Sequence, residues 1–284
     1  MTNGKEIVKN LYKQGKAILH INANNLEWIK NILEVFNELR EDVIIGFSPS
    51  AIKYMGGYKT CLNLVENLIE DLNIQIKAIP HLDHGNFYQC LKAINTGFKS
   101  VMFDGSHLPF EENYEKTKQL IDISKKNNVT VEAEVGLIGG QEDGIENLKC
   151  MLTDLKEAQK MKELGVDYLA VGINNYHGRY PEKWDGLNFT KLEELNNSLK
   201  IPLVLHGSSG IDLQEIKKAV KLGISKININ TALQEVNAFA IKEYLEKYDL
   251  NKGKNYDPRK IYGFASEKVK QYLRAFVKDF LNEK

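Results

Sequence analysis

Eight short apolar runs punctuate the chain, each with the composition of a strand buried on both faces: Ala17 to Ala23, Val43 to Ser48, Ile76 to Asp83, Ser100 to Ser106, Thr130 to Gly136, Tyr168 to Asn174, Pro202 to Gly207 and Lys226 to Thr231. Their starts are separated by about 24 to 38 residues, the length of one strand-helix-strand crossover. Between them, apolar positions recur with helical spacing, most clearly at Cys61, Leu64, Val65, Leu68, Ile69 and Leu72. Three helices are expected to end alike: Gly97, Gly165 and Gly223 each fall just past a helix, where a left-handed backbone suits glycine, and each leads at once into a new strand. This recurrence is a weak internal repeat of one strand-helix unit.

Strands and helices alternating at this period predict an α/β fold with a parallel sheet, and eight units favour closure into a TIM (β/α)8 barrel over an open doubly wound sheet. No Gly-x-Gly-x-x-Gly follows the first strand, so the main signal of a dinucleotide fold is missing. The 284 residues suit one barrel domain, with 251–284 as a C-terminal extension: a polar hinge from Asn251 to Arg259, then a helix from Ser266 to Leu281 that packs on the barrel or on a partner subunit. Lysine plus arginine balances aspartate plus glutamate at 38 each, so no general attraction to nucleic acid or an anionic membrane is implied. Any anionic ligand must therefore be held by local groups. Cys61, Cys90 and Cys150 are odd in number and scattered, which argues against a disulfide framework or a cysteine zinc site and fits a reducing cytoplasm. No apolar segment reaches the roughly 18 residues of a membrane span, and the first residues lack a signal-peptide core.

A barrel of this kind gathers its chemistry at the C-terminal ends of its strands. The third run shows this most clearly: Ile76 to Gly85 ends in His81, Asp83 and His84, with Gly85 expected to turn the chain away. Asp104, Ser106 and His107 follow the fourth run, Glu132 and Glu134 lie on the fifth, Asn174, Asn175 and His177 follow the sixth, His206 the seventh, and Asn228 to Thr231 end the eighth. Lysines at the opposite ends, Lys77, Lys99 and Lys226, read as ordinary solvated positions. His84, His177 and His206, with Asp104 and Glu134 nearby, supply the donor set of a catalytic zinc or similar ion with one position open; any one of these imidazoles alone would read as a hydrogen-bonded structural residue. Asp83 is either a carboxylate that orients an imidazole or a general acid and base. Gly207-Ser-Ser-Gly210 and Asn228-Ile-Asn-Thr231 follow the two strands whose loops often form a phosphate site, or are tight turns with Asp212 as a helix cap. The glycine-rich, acidic stretch from Leu137 to Asn147 is a solvated connection or a mobile lid that carries Glu142 to the site.

Taken together, these stretches resemble the class II, metal-dependent fructose-bisphosphate aldolases and their tagatose-bisphosphate relatives. The match runs through Asn3-Gly-Lys-Glu, Asn22-Ala-Asn-Asn-Leu-Glu, Tyr54-Met-Gly-Gly-Tyr-Lys, His81-Leu-Asp-His-Gly, Phe103-Asp-Gly-Ser, Glu132-Ala-Glu-Val-Gly, Gly139-Gly-Gln-Glu-Asp-Gly, His177-Gly-x-Tyr-Pro, Leu205-His-Gly, Lys226-Ile-Asn-Ile-Asn-Thr and Tyr256-Asp-Pro-Arg-Lys, nearly the whole chain. The resemblance implies a zinc ion on His84, His177 and His206, with Asp104 and Glu134 holding it in an alternative position or binding a second divalent or monovalent cation. It implies Asp83 as the catalytic aspartate and Glu142 as the loop glutamate that moves the carbon-bound proton. Gly178, Gly207, Ser208, Ser209, Asn228, Ile229, Asn230 and Thr231 match the pocket for dihydroxyacetone phosphate. Ser48 and Arg259 match contacts to the aldehyde half, the arginine reaching in from the neighbouring subunit of a homodimer or homotetramer. The implied activity is cleavage of fructose 1,6-bisphosphate through a metal-stabilised enediolate in glycolysis and gluconeogenesis, in the cytoplasm. Asn174 in place of glycine, Ser208 in place of the second glycine of His-Gly-Gly, and Gln141 before Glu142 depart from the usual pattern, as does His20 in place of a small residue. The epimeric tagatose bisphosphate is the near alternative, with Asn230 and Tyr180-Pro181 favouring fructose; a phosphosugar-binding barrel without catalysis is the remoter one.

Overall fold

The computed structural model describes residues 2–142, 145–147 and 150–282, with the side chains of 142–149 left out. In chain order its elements begin α1 (Lys5–Lys13), β1 (Ile18–Asn22), α2 (Leu26–Leu39), β2 (Val43–Phe47), α3 (Pro49–Tyr54), α4 (Tyr58–Asp71), β3 (Ala78–Gly85) and α5 (Phe87–Thr96). They continue with β4 (Ser100–Phe103), α6 (Phe110–Asn127), β5 (Thr130–Val135), β6 (Gly139–Glu142), β7 (Ile145–Asn147), α7 (Leu155–Leu164), β8 (Tyr168–Val171) and β9 (Tyr176–His177). The last are α8 (Phe189–Leu199), β10 (Leu203–Leu205), α9 (Leu213–Lys221), β11 (Ile224–Ile229), α10 (Thr231–Lys247) and α11 (Pro258–Leu281). All eight expected strands form, and they close into one parallel barrel in the order β1-β11-β10-β8-β5-β4-β3-β2. The expected glycines end their helices as read: Gly97 and Gly165 cap α5 and α7 in the left-handed region, and Gly223 follows α9 at φ 113.

Period-two alternation sorts the strand residues. Odd-numbered apolar side chains such as Leu19, Ile21, Val43, Ile45, Val101, Val131, Leu169, Leu203 and Ile227 face outward into the large core shared with the helices. Even-numbered ones face the barrel axis, except on β3, where the odd-numbered Ile79 and His81 face inward and Leu82 faces outward. The lowest inward-facing layer, Ile18, Ile44, Ile79, Met102, Tyr168 and Val204, is apolar and closed from below by Val8 of α1. Above it the axis is polar and wholly buried, with His20, His81, Glu132 and Lys226. The same alternation corrects the reading of Lys226 as solvated: on β11 it falls on an inward position and is 0% exposed.

One glycine and one helix complete the frame. Gly46 faces His20 across β1 and β2, and a Cβ there would lie 1.6 Å from His20 Nε2, so the imidazole occupies the volume the glycine leaves. Helix α11 begins at Pro258, eight residues before the expected start, because Pro258 suits a first helical turn and Asp257 caps it. It packs on α10 and on α2, burying Val269, Leu273 and Val277, with Lys270 3.2 Å from Glu34 and Arg274 2.8 Å from Glu38. Outside the barrel, the glycine-rich stretch forms strands: β7, β6 and β9 make a small sheet in which Gly140 pairs with His177.

Gly46→Ala is expected to lower unfolding stability by about 1–3 kcal/mol through overpacking against His20. Combined with His20→Ala the penalty should largely vanish, and denaturant melts showing purely additive effects would refute the packing account.

Candidate active site

Asp83 and His84 are consecutive, yet both side chains enter the same mouth. A regular strand would send them to opposite faces. The pairing of β3 with β4 shifts register between Leu82 and Gly85, a bulge, and His84 takes φ 50, which turns its ring back over the barrel. This corrects the expectation that Gly85 makes the turn: the left-handed residue is His84. Gly85 is glycine for space, since a Cβ would lie 2.5 Å from Leu82 Cδ2.

His84, His177 and His206 meet there, with ring centroids 4.9, 4.7 and 5.6 Å apart. One ring nitrogen of each lies within 4.8 Å of the others. His84 Nδ1 sits 2.8 Å from Asp104 Oδ2, and His206 Nε2 sits 2.8 Å from Glu132 Oε1. An ionised carboxylate only accepts, so both outer nitrogens carry hydrogen and turn lone pairs inward. Those inner atoms, His84 Nε2 and His206 Nδ1, face each other at 3.0 Å, and buried His177 Nε2 has no hydrogen-bond partner among the described residues. Two lone pairs at that distance are satisfied by a proton or a cation between them. Burial, then the neighbouring imidazoles, hold His177 well below the ordinary value, in the neutral form a metal ligand needs. Asp104 and Glu134 form a second group with His84, ligand atoms again within 4.8 Å. Burial and the adjacent Asp104 push the Glu134 carboxyl well above its usual range.

Beneath these lies a layer of polar contacts. Asp83 accepts from Asn22 Nδ2 at 2.9 Å and from Asn228 Nδ2 at 3.2 Å, one amide on each oxygen. Burial alone would raise its pKa; the imidazoles of His20, His84 and His206 and the Lys226 ammonium outweigh that and hold it well below the carboxylate range. Lys226 Nζ lies 2.9 Å from Glu132 Oε2 and donates to Asn228 Oδ1 at 2.7 Å. His20, His81 and Asp83 also bring ligand atoms within 4.8 Å, but Lys226 is the strongest charge acting to lower both imidazoles, so a second cation is disfavoured there. His81 bonds Ser100 Oγ through Nδ1 at 2.7 Å, and its Nε2 faces Glu132 Oε2 at 3.7 Å.

A cleft opens over this group. Gly178, Gly207, Ser209, Asn228, Asn230 and Thr231 line it beside Asp83 and the three imidazoles, and Asn22 joins them. Gly207 has φ 67 and passes so near Tyr176 that a Cβ would lie 2.1 Å from its carbonyl oxygen. Ser209 Oγ accepts from Ala232 N at 3.2 Å, joining the β10 loop to the start of α10, whose N-cap Asn230 makes no side-chain cap bond. The N-terminus of α10 borders the cleft through Asn230 and Thr231, the end of a helix at which anions are held. Ser208 points elsewhere, donating to the Asn228 carbonyl, and Ile229 is buried in the outer core. Asp212 caps α9 as read. Ser48 caps α3 at the end of β2. Arg259 stands on the exposed start of α11, paired with Asp257 at 2.7 Å. Glu142 ends β6, and its side chain lies outside the described residues. Asn174 explains its own departure: at φ 70 it occupies a left-handed position that asparagine tolerates nearly as well as glycine.

The reading of strand ends passed over Asn22, took Lys226 as solvated, and named Glu132 and Asn175 without a role; Asn175 Oδ1 accepts from Ile173 N and its Nδ2 donates to the His206 carbonyl. The signal for the first three was parity: each is an even-numbered polar residue on an axis-facing position.

A barrel mouth whose imidazole lone pairs converge on one point is that of a metal-dependent β/α-barrel enzyme. Comparison with known proteins narrows the class. The family model for class-II fructose-bisphosphate aldolase matches residues 2–284. A fructose-bisphosphate aldolase of Ureaplasma parvum is 46% identical over 274 residues, covering 96% of this chain and 94% of that protein. One of Mycoplasma genitalium is 49% identical over 253 residues, 88% and 87% of the two chains. The crystal structure of the YdjI aldolase from Escherichia coli K12, 28% identical, superposes with a TM-score of 0.83 over 99% of this chain and 97% of that one. The chain belongs to the class II fructose-bisphosphate aldolase family, and is a metal-dependent aldehyde-lyase of the barrel type.

His20 and His81 are buried neutral, burial being the first cause, with His81 lowered to about 3. In the unfolded chain each titrates near 6.5, so protons favour unfolding below that value. The melting temperature of the metal-free protein is expected to fall steadily from about pH 6.5 toward 4; a flat profile over that window would contradict the burial of neutral imidazoles.

Proposed function

We propose that the chain catalyses reversible cleavage of fructose 1,6-bisphosphate to dihydroxyacetone phosphate and glyceraldehyde 3-phosphate, the glycolytic and gluconeogenic reaction, in the cytoplasm. The observation that carries this reading is the ionised Asp83, held by two amides, beside three imidazoles that turn lone pairs to one point. His84, His177 and His206 would hold one Zn2+, and Asp104 and Glu134 an alternative position or a second cation. When bound, the ion supplies Lewis acidity to the ketose oxygens, worth several kcal/mol of the barrier.

The chain's own residues do the rest. Asp83 takes the proton of the C4 hydroxyl as the C3–C4 bond breaks, and returns it in the condensation direction. Its two amide donors leave the carboxylate oriented without satisfying every lone pair. Glu142 delivers the proton to C3 of the three-carbon product. Gly178, Gly207, Ser208, Ser209 and Asn228 to Thr231 bind one phosphate beside the N-terminus of α10. Ser208 and Ile229 act through their backbone, since their side chains are otherwise engaged. Ser48 and, from the neighbouring subunit of a homodimer or homotetramer, Arg259 contact the aldehyde half.

Asp83→Ala is expected to cut cleavage by at least the roughly 10²–10⁴-fold typical of a general acid-base group while zinc content stays near one per chain. Equal loss of zinc would make Asp83 structural. For Glu142→Ala, exchange of the ketose-carbon proton into solvent should be suppressed, and undiminished exchange would remove that role. A coupled assay should show turnover of fructose bisphosphate in preference to tagatose bisphosphate and abolition of both by a chelator. Full activity without metal would overturn the reading.

A further inference from the structure

Lys226 and its ion-pair partner Glu132 are charged residues on the barrel axis that the reaction described above does not use, and both are wholly buried. An ammonium there is tolerated only if paired, and it has two partners on opposite sides. Toward β5 it lies 2.9 Å from Glu132 Oε2. Upward along its own strand it donates to Asn228 Oδ1 at 2.7 Å, the two residues sharing a face because they are two apart.

Each partner hands the constraint on. Glu132 uses its other oxygen on His206 Nε2 at 2.8 Å, which keeps hydrogen on that nitrogen and turns Nδ1 toward His84. The ammonium keeps Glu132 ionised, offsetting the cost of its burial, and only the ionised form accepts on both oxygens. Asn228 is an amide whose two ends could exchange. With Oδ1 fixed on the ammonium, Nδ2 must point the other way, where it reaches Asp83 Oδ1 at 3.2 Å and lies 3.2 Å from His206 Nδ1. A flipped amide would set an oxygen against the Asp83 carboxylate.

We infer that Lys226 is a positioning residue for both halves of the centre, acting through Glu132 on the His206 ligand and through Asn228 on Asp83. This rests on the roles proposed above for His206 and Asp83. It gives a buried lysine of this lyase a task other than nucleophilic attack on the ketose carbonyl.

The test uses Lys226→Met, which keeps the stem and removes the charge, against the wild-type chain. Zinc affinity is read by titrating metal-free protein in competition with a chromophoric chelator; kcat and KM are read separately at saturating zinc. Zinc affinity is expected to fall about 10–100-fold, the usual cost of losing an outer partner of a metal ligand. At saturating zinc kcat should fall at least tenfold with KM for the bisphosphate changed far less, because Asn228 is the one phosphate-pocket residue that Lys226 contacts. Wild-type affinity and kcat in the variant would overturn the inference, as would losses in kcat matched by a rise in KM, which signify a general loosening of the mouth. If Lys226→Met fails to fold, the neutral pair Lys226→Met with Glu132→Gln leaves no unpaired charge. It too should bind zinc more weakly and show the isolated loss in kcat, and wild-type values would again refute the proposal. Failure of the functional reading is distinct: the wild-type chain itself would then bind no zinc in the titration.

Discussion

The ion pair between Lys226 and Glu132 lies where water does not reach, inside a closed barrel whose floor is apolar. Two opposite charges in such a place are stable only together, and each leaves a second polar contact to make. Glu132 spends its own on His206, and Lys226 on Asn228. From this pair the polar interior is built upward until it reaches the cleft, so the orientation of groups at the surface of the site is decided several ångströms below it. A mouth of the same residues on an apolar axis would have imidazoles and amides free to choose tautomer and flip.

Much of this was visible in the order of residues. Eight apolar runs at crossover spacing define a closed parallel barrel almost by counting, and imidazoles and carboxylates at the ends of those runs mark one mouth. The floor of the barrel was not visible, for a specific reason. Strands buried on both faces read as continuous apolar stretches, which hides the difference between the helix-facing and axis-facing sides. Lys226 beside Ile227 looks like the polar start of a strand. Only its even number, set against Asn228 and across from Glu132, puts it inside. Asn22 and His20 escaped for the same reason.

The bulge at Asp83 and His84 was illegible for another. Nothing in His-Leu-Asp-His-Gly says which residue leaves the strand conformation, and the glycine is the natural candidate. Sterics decide otherwise: Gly85 passes against Leu82 and Cys90, so it must stay small and extended, and the positive φ falls on His84. Strained backbone of this kind persists where the surroundings hold it, here the bond from His84 to Asp104 and the return of β3 to pair with β4. That strain is what lets two neighbouring residues serve one site.

The small sheet outside the barrel has a mechanical consequence. Gly140 of β6 is hydrogen bonded in parallel register to His177, so the strand that leads into Glu142 and the strand that carries one of the three imidazoles are a single piece. A loop that moved as a body would drag that imidazole with it. Position 142 lies two residues beyond this contact on the same strand, so its backbone is tied to the imidazole cluster.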